Sequence, residues 1–322
     1  MASNSLLMKA DLAIADLQAN GGYLEDEQAA RFVRKLIKSP TILRDARVVE
    51  MRSPRRQVNK IQFGSRIMRA ANAVGTPLSS SDRSSPTTEQ VILQTFEVQA
   101  TVYLGYDVLE DNIERVGSLG QHADAGGTAL SGGLRDTVVD LMAERAALDL
   151  EELGLNGDTA SADSYLALND GWLLEVETNG NVSDHGGAKI DRTMFKAGMQ
   201  VLPDQYHRFQ SQMRHYISVD QDIEYRDSLA SRATGAGDSF VQGMQNPTPF
   251  GVPTSQVQTM PEDKGLFTNP QNLLMGIQRQ VLMEFDKKIE ERQYVIALTA
   301  RIDFQVEEAE AAVAYNDIGA AL

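Results

Sequence analysis

The chain has 322 residues, with 30 lysines and arginines against 45 aspartates and glutamates, so its formal net charge at pH 7 is −15. That length allows about two domains with a real core, and that charge argues against free nucleic acid as a partner for the surface as a whole. There is no cysteine, which excludes structural disulfides and thiolate metal sites.

No apolar run approaches the ~18 residues of a membrane span. Lys9 and Asp11 interrupt the apolar pattern of the first residues, against a signal peptide. These features together point to a soluble, non-secreted protein of mixed structure. The charge is uneven. Residues 31–69 hold twelve basic side chains and two acidic ones, Asp45 and Glu50, so this window carries +10 and the remainder −25. A basic arm of this kind can bind nucleic acid, lie on the acidic surface of another copy, or simply be a solvated loop.

In chain order, residues 4–18 place Leu6, Leu7, Ala10, Ile14 and Leu17 at helical spacing, and Asn20-Gly21-Gly22 stops the run. A second helix is predicted over 25–38, ended by Ser39-Pro40. Residues 46–90 read as basic and then loose, with the small polar residues and prolines of 74–86 unable to bury a core, so this stretch should project. Phe96, Val98, Ala100, Val102 and Leu104 alternate with polar or smaller neighbours, the period of a half-buried strand. After a glycine-rich break at 117–127 comes the longest helix, capped by Thr128 or Ser131, striped by Leu134, Val138, Leu141 and Leu148, and closed by Gly154. Residues 153–158 read as a domain boundary.

Further helices are predicted over 193–202 and 220–231, followed by proline-rich loops. Near the C-terminus Leu273, Met275, Ile277, Val281, Met283 and Phe285 take odd positions, with Arg279 the exception. Tyr294, Ile296, Leu298, Ala300, Ile302, Phe304 and Val306 then take even ones, across a charged turn at 286–292. This predicts a hairpin of two strands of about 13 residues, about 43 Å long, more than one compact core can cover.

No active site emerges. The four histidines, His122, His185, His207 and His215, share no ligand spacing. Glu151-Glu152 and Glu307-Glu308 read as solvated ends, and Asp170 as a turn residue. The phrase Thr234-Gly-Ala-Gly-Asp-Ser-Phe-Val-Gln-Gly243 resembles the C-terminal signature of ribokinase-like sugar kinases, in which Asp238 would be the base. The two N-terminal helices and the long hairpin do not suit that fold, and a glycine-rich turn is the simpler reading.

The order of elements, together with Phe250-Gly-Val-Pro-Thr-Ser-Gln-Val-Gln-Thr-Met-Pro261, Leu266-Phe-Thr-Asn-Pro270 and the strand after them, resembles the tailed-bacteriophage major capsid proteins of the Hong Kong ninety-seven type. The resemblance implies an α+β fold with N-terminal helices and arm over 1–47, an extended loop over 48–93, a peripheral domain over 94–160 and 269–307, and an axial domain over 161–268 and 308–322. It implies a shell protein without catalytic residues, cofactor or metal, assembling into hexamers and pentamers of an icosahedral head around double-stranded DNA. Portal and scaffolding proteins would be partners and a cement protein an optional one, with no membrane. The shell would be built in the host cytoplasm and reside in the virion. Contact residues would be Arg52, Arg55, Arg56 and Lys60 on the loop, and Lys287, Lys288, Glu290, Glu291 and Arg292 at the hairpin tip. Arg31, Arg34 and Lys35 would act in the arm. The family's covalent crosslink is not implied, because no partner asparagine for Lys60 is identifiable.

Overall fold

The structure, a computed structural model, describes residues 11–12, 42–62, 66–68, 70, 79, 85–105, 134–230 and 247–321. Its dominant element is a long hairpin, β10 (Leu273–Lys288) and β11 (Gln293–Val306). At the usual strand rise, the 16 residues of β10 reach about 50 Å. Register runs from Leu273 opposite Val306 to Lys288 opposite Gln293, with one-residue slips between Ile277 and Arg279 and between Arg279 and Leu282. A single slip exchanges the two faces of a strand, and a second restores them. Odd residues of β10 therefore meet even residues of β11 on both sides of the irregularity, as in Met275 opposite Phe304 and Met283 opposite Leu298. Arg279, the break in the apolar alternation, lies between the two slips. The turn is tighter than the sequence suggests: pairing continues through Asp286, Lys287 and Lys288.

β11 also pairs antiparallel with β5 (Phe96–Gly105), and β2 (Arg47–Glu50), which follows the short helix α1 (Ile42–Asp45), runs parallel to the start of β10. β1 (Asp11–Leu12) completes this five-stranded sheet, parallel to β5 at Tyr103 and Leu104. The first helix expected from the sequence is thus corrected at these two residues, which are extended because the outer edge of β5 offers backbone groups to pair. The rest of 4–18, the helix over 25–38 and the glycine-rich break lie outside the described residues.

Between β2 and β5 the chain forms a separate two-stranded ribbon, β3 (Arg55–Gln62) with β4 (Thr87–Gln94). The stretch that reads as loose is strand at both ends.

The long helix, α2 (Leu134–Asn156), does not end at Gly154. A Cβ at that position would fall 2.9 Å from the Phe304 ring, so glycine is there for close approach to β11 rather than as a cap. The helix stops instead at Gly157, whose N–H donates to Leu153 O at 3.0 Å. A short helix not foreseen in the sequence, α3 (Trp172–Asn179), follows. Its Trp172 is the one tryptophan of the chain, fully buried, edge-on to Phe304 at 5.3 Å and donating Nε1–H to Gln305 O. Leu153, Leu155, Trp172, Phe304 and Ala314 belong to one apolar core.

The second five-stranded sheet has the order β6 (Asn181–Asp184), β12 (Val313–Asn316), β9 (Gly265–Thr268), β7 (Arg214–Ile217), β8 (Thr254–Gln256). Against it lies α4 (Arg192–Val201), whose apolar side buries Met194 and Phe195. Asp191 caps it, accepting from Thr193 N and Met194 N. α5 (Asp204–His207) and α6 (Val219–Ala230) complete this part. Asp222 of α6 is buried and ties that helix to β8, accepting from Gln256 Nε2 at 2.6 Å and from Arg226 Nε at 2.7 Å.

Candidate assembly surfaces

The ribbon is two-faced because side chains alternate along each strand. Arg56, Val58 and Lys60 share one face with Leu93, Val91 and Glu89, their register partners. Leu93 is fully buried and forms a small core with Met51 and Leu274, against which Val58 and Val91 pack. This face lies on the chain's own body.

Lys60 extends from it to Glu308 at 2.8 Å and Glu89 at 2.9 Å, and Nζ also reaches Glu307 O at 3.4 Å. Burial works to lower the Lys60 pKa, but the hydrogen bonds and charges of Glu308 and Glu89 outweigh it and hold the ammonium above its ordinary value. Arg56 Nη1 donates to the carbonyl of Glu50. Arg52 and Arg55 are exposed.

At the ribbon's root the chain is tied to the sheet. Met51 N donates to Ile277 O at 2.8 Å, Thr95 N to Pro54 O at 2.9 Å, and Gln94 N to the carboxylate of Asp303 at 2.6 Å. Asp303 is buried in β11, and burial pushes its pKa up to about 6 against the backbone donors that work to lower it. Arg47 pairs with Glu307 at 2.9 Å. Glu307 and Glu308 therefore each hold a cation from the chain leading into or along the ribbon. This corrects their reading as solvated ends, as does the burial of Glu151 in α2. The basic count that marked residues 31–69 carried no sign of these acceptors, which lie about 250 residues away in sequence but one hydrogen bond away in space.

The hairpin tip is a four-residue turn closed by Arg292 N on Ile289 O at 3.3 Å, with Arg292 at φ 52°. Lys288 lies over the Tyr103 ring at 5.0 Å and reaches Glu291 at 3.4 Å, and Lys287 lies over Tyr294 at 5.4 Å. Glu290, Glu291 and Arg292 are exposed, and Ile289 stands among them at 73% exposure. The tip cluster read from the sequence is thus an exposed turn in which lysines, glutamates, an arginine and tyrosine rings lie side by side. Arg31, Arg34 and Lys35 lie outside the described residues, as do Asp238 and His122.

His215 is packed as a core residue, stacked on Phe267 at 4.4 Å with Nδ1 at 3.1 Å from Tyr315 Oη. Asp170 accepts from Thr159 N and Oγ1, which makes it a turn residue. Among the described residues no group of three His, Asp or Glu side chains could hold a metal ion.

No protein-family model matches the chain. It is 36% identical over 323 aligned positions to YqbE of Bacillus subtilis (strain 168), named as a prophage capsid protein, covering 97% of each chain. The chain belongs to the prophage capsid proteins. Solved capsids share its fold at much lower identity. The capsid of a native GTA particle matches with a TM-score of 0.64 at 14% identity, over 94% of this chain and 98% of that one. Mycobacterium phage Cain matches at 0.62 and 10%, over 97% and 100%. Cyanophage P-SCSP1u matches at 0.64 and 10%, over 92% and 93%.

These are tailed-phage capsids of the Hong Kong ninety-seven type, and the α+β architecture of this capsid protein is theirs. The protein is structural and not an enzyme, its place is the virion shell, and it works as part of capsid-forming oligomers. The sugar-kinase alternative receives no support.

Proposed function

We propose that this capsid protein assembles into hexamers and pentamers of an icosahedral head around double-stranded DNA, built in the host cytoplasm with portal and scaffolding proteins and an optional cement protein. The observation that carries the reading is full-length relatedness to a prophage capsid protein, joined to a hairpin about 50 Å long that no single compact core needs. In this reading β5, β10, β11 and α2 form the peripheral domain (94–160 and 269–307). The second sheet with α4 and α6 forms the axial domain (161–268 and 308–322). Residues 48–93 form the extended loop.

Contacts between copies fall on Arg52, Arg55, Arg56 and Lys60 of the loop and on Lys287, Lys288, Glu290, Glu291 and Arg292 of the tip. Arg31, Arg34 and Lys35 belong to an arm that meets DNA or a neighbour. The opposed charges, +10 in the window and −25 elsewhere, register one copy on the next, although single rim ion pairs contribute only about 0–1 kcal/mol. Cohesion comes from apolar burial repeated over many interfaces. Light scattering and negative-stain microscopy of the expressed protein test this: megadalton shells or capsomer rings are expected, and a small monodisperse species at all concentrations overturns it.

A further inference from the structure

We infer that the junction between the two sheets is a hinge clasped by Asn272, and that Lys60 couples the ribbon to it. Two stretches of chain cross from one sheet to the other, 269–272 between β9 and β10 and 307–312 between β11 and β12. Each is broken by one 3-10 turn, Pro270–Asn272 and Ala309–Ala311. Such turns interrupt the sheet's ladder and leave backbone groups in need of other partners.

Asn272 supplies them. Its buried side chain stands in for a ladder partner of Glu308, accepting the Glu308 N–H on Oδ1 at 2.8 Å and donating from Nδ2 to Glu308 O at 2.8 Å. Its carbonyl accepts the Glu307 N–H at 2.9 Å, and Nδ2 also reaches Thr268 Oγ1 at the end of β9. On either side of this clasp the crossing is held elsewhere. Asn169 Nδ2 and Trp172 Nε1 donate to the carbonyls of Phe304 and Gln305, and Asn181 Nδ2 donates to those of Glu310 and Ala312. Bending is thus confined to 307–309. The apolar core around Trp172 is shared by both sheets, but apolar burial is non-directional and opposes separation more than rotation. The directional bonds of Asn272 set the angle.

The arm and the ribbon grip the same two residues, Arg47 on Glu307 at 2.9 Å and Lys60 on Glu308 at 2.8 Å. Just upstream, Asp45 of α1 pairs with Arg214 of β7 at 3.0 Å, and its carbonyl accepts from Gln271 Nε2 at 3.4 Å. Rotation of the second sheet about the clasp moves both Glu308 Oε2 and Glu307 O, the acceptors of Lys60 at the crossing. A lifted ribbon in turn frees Glu308. Such coupling acts equally in both directions: seating the ribbon fixes the angle, and fixing the angle seats the ribbon. It is a property of the single chain and does not depend on the shell reading.

Hydrogen exchange reads the coupling at a distance. Asn272 makes its hydrogen bonds to Thr268, Asn269, Glu307 and Glu308, none of them in the ribbon. Asn272→Ala is nonetheless expected to raise exchange in Thr87–Gln94 several-fold while α2 exchanges as in wild type. Added to Lys60→Ala, it should raise ribbon exchange by less than about twofold more, because the path between them is already cut. Ribbon exchange at the wild-type rate in Asn272→Ala, or full additivity with Lys60→Ala, overturns the inference. A second measurement works without the Asn272 variant. Nitroxide labels on Thr101→Cys of β5 and Lys196→Cys of α4, both exposed positions in a chain without cysteine, report the distance between the sheets. Lys60→Ala is expected to broaden that distance distribution, and an unchanged distribution refutes the coupling.

Discussion

The carboxylate of Asp303 accepts the backbone N–H of Gln94 at 2.6 Å, tying the strand that leaves the ribbon to the open end of the long hairpin, where Asp303 lies opposite Gly276. A buried carboxyl group that favours its neutral form makes this tie pH-dependent. Its pKa rises from 3.8 to about 6, so the folded state holds a proton that the unfolded chain releases earlier. The group therefore costs stability as pH climbs from about 4 to 6, by about 3 kcal/mol in full. Asp303→Asn keeps an acceptor oxygen and removes the titration. Denaturant unfolding of both proteins between pH 4 and 8 should show near-equal stability at the acid end, an advantage for the variant that grows up to about pH 6, and a constant difference above it. Parallel curves would mean that Asp303 is ionised throughout.

Gly154 and Phe304 make a second test. A methyl group at 154 meets the Phe304 ring edge at 2.9 Å, and α2 cannot retreat, because Leu153 and Leu155 on either side are fully buried. Gly154→Ala is expected to cost about 1–3 kcal/mol by overpacking, although alanine is the better helix former in isolation. Adding Phe304→Leu should recover part of the loss, read as a positive coupling in a thermal double-mutant cycle.

What was legible in the sequence follows from which physics is local. The odd and even apolar positions around the hairpin, and the stripe of α2, report burial residue by residue, and both elements form where the pattern puts them. α3 was missed because eight residues hold barely two turns, though Trp172, Leu173 and Val176 carried the spacing. The ribbon reads as loose in the sequence because its strands alternate Val58, Val91 and Leu93 with arginines, amides and threonines. Its support comes from Leu274, Asp303 and Glu308, which are far away in sequence, Asp303 209 residues from Gln94 and Glu308 248 residues from Lys60. Lys60 shows the limit most clearly. A count of basic residues marks it as a contact for a neighbour, and only the fold reveals the two carboxylates of its own chain around it.

His215 is expected to govern the acid response of the second sheet. It is fully buried, its Nε2 has no hydrogen-bond partner, and burial pushes its pKa down to about 3. The unfolded chain protonates it near 6.5, so stability present above that pH is lost as pH falls from there to about 3, by up to about 5 kcal/mol. His215→Phe alone leaves the Tyr315 hydroxyl without its partner in the core and should destabilise at neutral pH. The pair His215→Phe, Tyr315→Phe should move the acid unfolding midpoint to lower pH. An unchanged midpoint by tryptophan fluorescence and circular dichroism would show that other groups govern acid unfolding.

The last prediction concerns Lys60 and Glu308, whose side chains are 20% and 19% exposed. At that burial an ion pair contributes about 1 kcal/mol, too little to hold the fold but enough to set how often the ribbon lifts. Lys60→Ala should therefore leave the thermal midpoint nearly unchanged while hydrogen exchange in Thr87–Gln94 rises several-fold. The reversed pair, Lys60→Glu with Glu308→Lys, should restore only part of that protection, because Glu89 then faces a second carboxylate across the ribbon. Adding Glu89→Lys removes that repulsion and should bring the exchange back towards wild type. Exchange in the ribbon that ignores all of these charges would place its support in the Met51, Leu93 and Leu274 core alone.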